Sequence, residues 1–310
     1  MNQPAPVIYP CEELRLPPFL PVTTFGGKFP VDEILRPYLR RFCSAIMVSH
    51  YYAQKMKGPS APLTFIDSGG FASLFQGSSV EMIQDRYCIR TSEDTLLDPA
   101  EVLSFQSQHA QFGATVDFII LPDTTEEEAR RRQQLTLHNA LWAIEHLEGN
   151  MNLYASIQAW DGNSAERITD ALATHPFKGF ALGGMVPRVQ QPRSIFEIIS
   201  GIRRIDSNKP LHVFGIGTPK LIKALFDHGV DSVDSSSFVR SAVSKRYLLP
   251  ESGNYTALSE IENPSDCCPC RVCNTFGSEY LQLEGELNTM ALALHNLTTT
   301  TSFLKIRSAA

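Results

Sequence analysis

No stretch of this 310-residue sequence approaches the roughly 20 consecutive apolar residues a bilayer-spanning helix needs, so no membrane span is expected. The first 21 residues hold six prolines and no basic cluster leading into an apolar core, which argues against a secretory leader and for the cytoplasm. Positive charge is also short. A net charge of −6 speaks against a protein that coats nucleic acid non-specifically, since that binding comes from neutralised phosphates. The deficit is uneven. Between Lys178 and Arg246 eleven Lys or Arg stand against five Asp or Glu, enough for a basic face on an acidic whole, although a solvated surface of mixed charge accounts for the same count.

Cysteine is sparse and odd in number, seven in all, and four of them (Cys267, Cys268, Cys270, Cys273) fall within seven positions. That clustering suggests a metal site in a reducing compartment rather than a disulfide framework. Cys11, Cys43 and Cys88 are expected to be buried apolar residues. Low-complexity segments and internal repeats are missing too. With 43% hydrophobic and 19% charged residues, the chain reads as a globular protein able to form one large α/β barrel or two ordinary domains.

What is present is a recurring pattern: a short apolar run that ends in a carboxylate or in glycines, then an amphipathic segment. His212-Val213-Phe214-Gly215-Ile216-Gly217 is followed by Leu221, Ile222, Leu225 and Phe226 at helical spacing, then by Val230 to Asp234. Leu63 to Ile66 leads to Asp67-Ser68-Gly69-Gly70-Phe71, and Val116 to Pro122 leads to Asp123. Asn152 to Ile157 ends in Gln158, and Gly179 to Leu182 ends in Gly183-Gly184. Strands are also expected at Phe19 to Thr23 and Ser44 to Val48, the latter followed by His50, Tyr51 and Tyr52, which can line a pocket or simply pack.

Helices are expected over Val31 to Phe42, Pro99 to Gln108, from Glu126 with Leu137, Leu141 and Ile144 as the buried stripe, and Ser194 to Ile202. Residues 76 to 110 are otherwise uninformative. About eight strands alternating with helices is the pattern of a (β/α)8 barrel, whose strand carboxyl ends converge on one ligand crevice. An isolated Asp there caps a helix more often than it catalyses; three such strand ends favour an active site.

The barrel is expected over residues 1–246, with a separate C-terminal unit over 247–310. In that unit Cys268-Pro269-Cys270-Arg271-Val272-Cys273 supplies three thiolates. His295, after a further 21 residues, adds an imidazole that completes a closed tetrahedral zinc shell and implies a structural metal, with water or Cys267 as the alternatives for that fourth place.

Taken in order, Asp67-Ser68-Gly69-Gly70-Phe71, Asp123 before a Glu-rich helix, Gln158, Leu182-Gly183-Gly184, Gly215-Ile216-Gly217-Thr218-Pro219, Asp234 and the cysteine cluster with His295-Asn296 resemble the tRNA-guanine transglycosylases. Those enzymes exchange a guanine in nucleic acid for a 7-deazaguanine base. The resemblance runs from about Leu16 to Arg307 and implies an irregular TIM barrel with a C-terminal zinc subdomain. It makes Asp234 the nucleophile, Asp67 the acid/base group, and Ser68, Asp123, Gln158 and the Gly183-Gly184 backbone the base-reading elements. Phe71 and Phe214 would sandwich the purine, and Cys268, Cys270, Cys273 and His295 would hold Zn²⁺.

After the nucleophile, the tRNA enzymes carry a Pro-Thr-Arg-type run, where this chain has Ser235-Ser236-Ser237-Phe238-Val239-Arg240. That departure looks more like the DNA-modifying branch, which inserts bases such as 7-cyano-7-deazaguanine into DNA. The expectation is thus a DNA-guanine transglycosylase, a pentosyltransferase, with Arg240, Lys245 and Arg246 contacting phosphate, and with a homodimer or partner proteins of a DNA-modification system. A tRNA-guanine transglycosylase of the queuosine or archaeosine type is the first alternative. A non-catalytic RNA-binding subunit is the second, disfavoured by three retained carboxylates. A glycosidase with two working carboxylates fits neither the Gly-Gly strand nor the zinc tail.

Overall fold

The computed structural model describes residues 14–24, 30–55, 61–261 and 268–306. Cys11 and Cys267 lie outside them. The chain begins β1 (Phe19–Pro21), α1 (Pro30–Leu39), β2 (Ala45–Ser49), α2 (His50–Ala53) and β3 (Leu63–Asp67). An insertion follows, of strands β4 (Ser79–Ile83), β5 (Arg86–Arg90) and β6 (Leu96–Leu97), paired antiparallel. The alternation then resumes with α3 (Pro99–His109), β7 (Phe112–Ala114), α4 (Glu126–Glu145), β8 (Asn152–Ile157), α5 (Gly162–Ala173), β9 (Gly179–Leu182) and α6 (Pro192–Ile205). It ends with β10 (Leu211–Val213), α7 (Pro219–Asp227), β11 (Ser232–Ser235) and α8 (Ser237–Val243). A hairpin of β12 (Arg246–Leu248) and β13 (Tyr255–Ala257), then α9 (Arg271–Gln282) and α10 (Glu286–Ile306), complete the described chain.

Eight strands form one parallel sheet in the order β1-β11-β10-β9-β8-β7-β3-β2. The sheet curls until its edges meet. Val22 bridges Met47, and the Thr23 N–H donates to the Met47 carbonyl at 3.0 Å, so the expected α/β (β/α)8 barrel is what forms. Side chains on a strand alternate between faces. Leu20, Ala45, Met47, Phe65, Phe112, Ala114, Tyr154 and Ala181, from six strands, pack as one cluster inside the barrel. Outward positions such as Ile46 and Phe180 join the larger core beneath the helices. The two-residue period extends the inward face from Phe65 to Asp67, from Tyr154 to Gln158, from Ala181 to Gly183 and from Ser232 to Asp234.

Local chemistry accounts for the helix starts. Asp98 accepts from the Ala100 N–H ahead of α3 and Asp161 forms a capping box with Ser164 at α5. Thr125 caps α4, whose first turn carries Glu126, Glu127 and Glu128 as the macrodipole favours. On α4 Ala140 and Ala143 are buried in the main core, while Leu137, Leu141 and Ile144 pack half-buried against that core.

Two expectations are corrected. The β4-β5-β6 sheet occupies residues that showed no clear periodicity, because short strands joined by tight turns leave little periodic signal. More consequentially, the strand expected over Val116 to Pro122 does not form. The ladder stops at Ala114, and the apolar residues beyond it leave the sheet. The N–H groups of Phe118, Ile119 and Ile120 donate to the side chains of Thr136 (3.0 Å), Ser73 (3.4 Å) and Gln158 (3.0 Å) rather than to a neighbouring strand.

The C-terminal unit is packed onto the barrel. α10 lies against α1 and α8, and one continuous apolar core contains Ile222 and Phe238 together with Leu292 and Leu297. Asn296 staples the two: its Oδ1 accepts from the Leu248 N–H at 2.9 Å, and its Nδ2 donates to the Phe238 and Arg246 carbonyls at 3.2 and 3.0 Å. The boundary expected between residues 246 and 247 falls within β12.

Candidate active site

The strand ends at one mouth of the barrel deliver the polar residues. Asp234, near the end of β11, is buried, and its Oδ1 accepts from the Gly215 N–H at 3.0 Å. His212 Nε2 lies 3.1 Å from the same oxygen. Asp67 ends β3, and its Oδ1 accepts from the Gly69 N–H at 2.8 Å and the His50 N–H at 3.3 Å. Burial pushes the Asp67 carboxyl up to about 7 and the negative charge of Asp234 adds to this, against the opposing donors of Gly69, Ser49 and His50. A carboxyl that titrates near neutrality can both carry and accept a proton there, as a general acid/base must.

Asp117, a residue the sequence reading passed over, is the third carboxylate of this mouth. It is buried three residues past the end of β7, and Ser68 Oγ donates to its Oδ1 at 2.8 Å while Gln158 Nε2 donates to its Oδ2 at 2.6 Å. Burial raises its pKa against these two hydrogen bonds. Ser68 Oγ also accepts from the Gly70 N–H at 3.0 Å, and Gln158 Oε1 from the Ile120 N–H at 3.0 Å, so both side chains have one fixed orientation. A side chain at Gly70 would collide with Asp117, and one at Gly183 with the Gln158 amide, which is why glycines stand at both positions.

Asp123 stands elsewhere. It is exposed in a surface turn, Leu121 to Thr124, closed by the Thr124 N–H on the Leu121 carbonyl (3.2 Å) and the Leu121 N–H on Thr124 Oγ1 (3.0 Å). The carboxylate beside Gln158 and Ser68 is therefore that of Asp117. The available signal was the acid itself: a charge inside Val116-Asp117-Phe118 has to be paired once that run is buried.

The two aromatic candidates are unlike each other. Phe214 is half-buried, with ring centroids 4.9 Å from His212 and 6.1 Å from Phe65. Phe71 is 65% exposed, edge-on to Phe75 at 5.9 Å. Of the proposed phosphate contacts, Arg240 is exposed on α8. Lys245 pairs with Glu284 at 3.4 Å, and Arg246 donates to the Tyr255 carbonyl at 3.0 Å.

In the C-terminal unit the sulfurs of Cys268, Cys270 and Cys273 and a nitrogen of His295 all lie within 4.8 Å of one another. His295 Nδ1 is 3.5 and 3.3 Å from the Cys270 and Cys273 sulfurs. The donor atoms of tetrahedral zinc bound by three thiolates and one imidazole stand roughly 3.5 to 3.8 Å apart, so the cluster fits that ion. Nε2 of His295 contacts the Leu248 carbonyl at 3.0 Å, which places the proton there and leaves Nδ1 as the ligand atom. Hydrogen bonds from Cys270 and Cys273 hold the Cys268 thiol below its usual range, whereas Cys273 is pushed above it. A divalent cation is what allows all three to ionise together. The fourfold shell leaves no open position, so the metal's part is to tie the loop at Cys268 to α10.

A family model described as queuine tRNA-ribosyltransferase matches residues 46–309. A protein of Pyrococcus abyssi named tRNA-guanine(15) transglycosylase is 31% identical over 203 residues, 64% of this chain and 34% of the relative. One of the same name from Methanocaldococcus jannaschii is 29% identical over 214 residues, 66% of this chain and 32% of the relative. The chain spans about a third of the length of these curated relatives.

Proposed function

This chain belongs to the queuine tRNA-ribosyltransferase family, and from that premise we propose that it exchanges guanine in DNA for a 7-deazaguanine base through a covalent intermediate on Asp234. The observation that carries the reading is the convergence of three differently held carboxylates on one barrel mouth: Asp234, Asp67 and Asp117.

Breaking the bond between C1′ and the purine N9 builds oxocarbenium-like charge on the sugar, which Asp234 stabilises before forming an ester to C1′. Asp67 gives a proton to the departing guanine and takes one from the incoming base as that base attacks C1′, so configuration is retained overall. Asp117 uses one lone pair of each oxygen on Ser68 and Gln158. The remaining lone pairs can accept the N1–H and N2–H donors of guanine, a pattern adenine does not present. The target nucleotide must leave its stack, and Phe71 and Phe214 offer rings for it to lie against.

Two observations bear on the polymer. The run after the nucleophile is used within the fold: Ser237 N donates to Ser235 Oγ at 3.1 Å, and Ser237 Oγ to the Gly217 carbonyl at 3.0 Å. It presents no basic side chain before Arg240, which supports DNA over an anticodon-type loop. The names of the relatives, tRNA-guanine(15) transglycosylases, favour tRNA as the second reading. Incorporation of labelled guanine and labelled 7-cyano-7-deazaguanine into purified DNA and bulk tRNA, in parallel and with Asp234→Ala as control, decides between them. Label in DNA alone is expected. Label in tRNA alone overturns the choice of polymer, and label in neither overturns the base-exchange reading.

A further inference from the structure

We propose that His212 is a positioning residue that selects Oδ2 of Asp234 as the attacking oxygen, with Ser232 holding the imidazole from its other side. The inference rests on the reading of Asp234 as nucleophile. His212 lies on β10, directly beside Ser232 of β11, and is fully buried. Its Nδ1 is 2.9 Å from Ser232 Oγ and its Nε2 is 3.1 Å from Asp234 Oδ1. Ser232 and Asp234 are two residues apart on one strand and so face the same side, with the ring bridging them. Phe65 and Phe214, with centroids 5.2 and 4.9 Å from the imidazole, wall it in.

A carboxylate can only accept, so the nitrogen facing Asp234 carries the proton. Nδ1 pairs with the Ser232 hydroxyl, which can either donate or accept. The ring N–H and the Gly215 N–H both fall on Oδ1. Oδ2 keeps its lone pairs, and it forms the new bond to C1′ as the C1′–N9 bond breaks. In the resulting ester Oδ1 is the carbonyl oxygen. The same two donors stabilise the carboxylate that re-forms when the incoming base displaces it. His212 therefore acts on the forming and breaking of the ester and has no part in reading the base.

The experiment pairs kinetics with a spectroscopic readout. His212→Phe keeps an aromatic ring between Phe65 and Phe214 but removes the donor; His212→Gln restores an N–H; Ser232→Ala removes the contact at Nδ1. For His212→Phe the expected result is a loss of about a hundredfold in kcat with the KM for the free base unchanged, as for deletion of one preorganised donor. His212→Gln should recover at least about tenfold of that loss. Wild-type kcat in a folded His212→Phe protein overturns the proposal. So does a loss that His212→Gln fails to recover while both variants melt early, which marks a purely structural ring. Independently of turnover, nitrogen NMR of the resting protein should find a proton on His212 Nε2, in the wild type and in Ser232→Ala alike. A bare Nε2 overturns the proposal whatever the activity. Exchange that survives in Asp234→Ala would instead sink the underlying assignment of the nucleophile.

Discussion

At the barrel mouth Asp67, Asp117 and Asp234 are held by N–H and O–H donors alone, whereas in the C-terminal unit three sulfurs and an imidazole are gathered within 4.8 Å. The first arrangement leaves its charge unfinished. Burial raises Asp67 and Asp117, and each retains capacity toward a ligand. The second arrangement is chemically complete only with a dication, and once that is bound nothing in it is free to react. The first arrangement suits the proposed chemistry, and the second suits a structural metal. The same fold serves both because Asn296 and the core around Phe238 and Leu297 join them.

The largest effect is expected at Asp234, the proposed nucleophile. Asp234→Ala should lower base exchange by at least about 10³-fold with the fold intact, measured by label incorporation alongside thermal unfolding. At the saturated site the effect should fall on stability instead. Cys273→Ser, or prolonged chelation, should release about one zinc per chain and cost several kcal/mol, read by metal analysis and the melting midpoint. A protein that melts unchanged after losing the metal would show that the cluster is not structural.

Between these lies base reading. Asp117→Asn should raise the guanine KM by about 30- to 100-fold, while Asp123→Asn should stay within about twofold, because only the former faces Gln158 and Ser68. The reverse ranking would restore Asp123 to the site.

A smaller effect concerns pH. The native state raises Asp67 to about 7, so it favours the protonated form; the stability this lends is complete below the unfolded value near 4 and is lost as pH rises through 7. Asp67→Asn should then be more stable than wild type by a few kcal/mol at most at pH 8, the gap closing below about pH 4, and the activity inflection near 7 should disappear. Equal stability of the two proteins across that range would contradict the assignment. The smallest effect is at the phosphate contacts. Arg240→Ala should reduce the salt dependence of DNA binding by about one charge, with less change for Lys245 and Arg246, which already have partners in the fold. Binding and salt slope unchanged after neutralising all three would remove this surface from the interface.

Much of the architecture was legible in the chain itself. The strand at Asn152–Ile157 appears with the bounds its composition suggests, and the helix after Thr125 begins where its acidic turn does. The zinc ligands were legible for a simple reason: Cys268, Cys270 and Cys273 are close in sequence, so their spacing already carries most of the geometry. The placement of Asp67, Asp234 and Gln158 at one barrel mouth was legible because each lies at or near the end of a strand whose two-residue alternation continues to it. The stretch after β7 shows where this stops. Leaving the ladder at Ala114 breaks the alternation, so an apolar run that reads as one strand ending at Asp123 becomes an irregular segment that buries Asp117 and exposes Asp123.

The alternation of strands and helices, the carboxylates available near their ends and the metal-binding spacing can be read from the chain alone, because these depend on neighbours along it. Which carboxylate meets Gln158, that both donors to Asp234 share one oxygen, and that His212 stands between Ser232 and Asp234 emerge with the folded barrel. Those outcomes depend on where each strand leaves the ladder and on the register between neighbouring strands, which are set when the barrel closes.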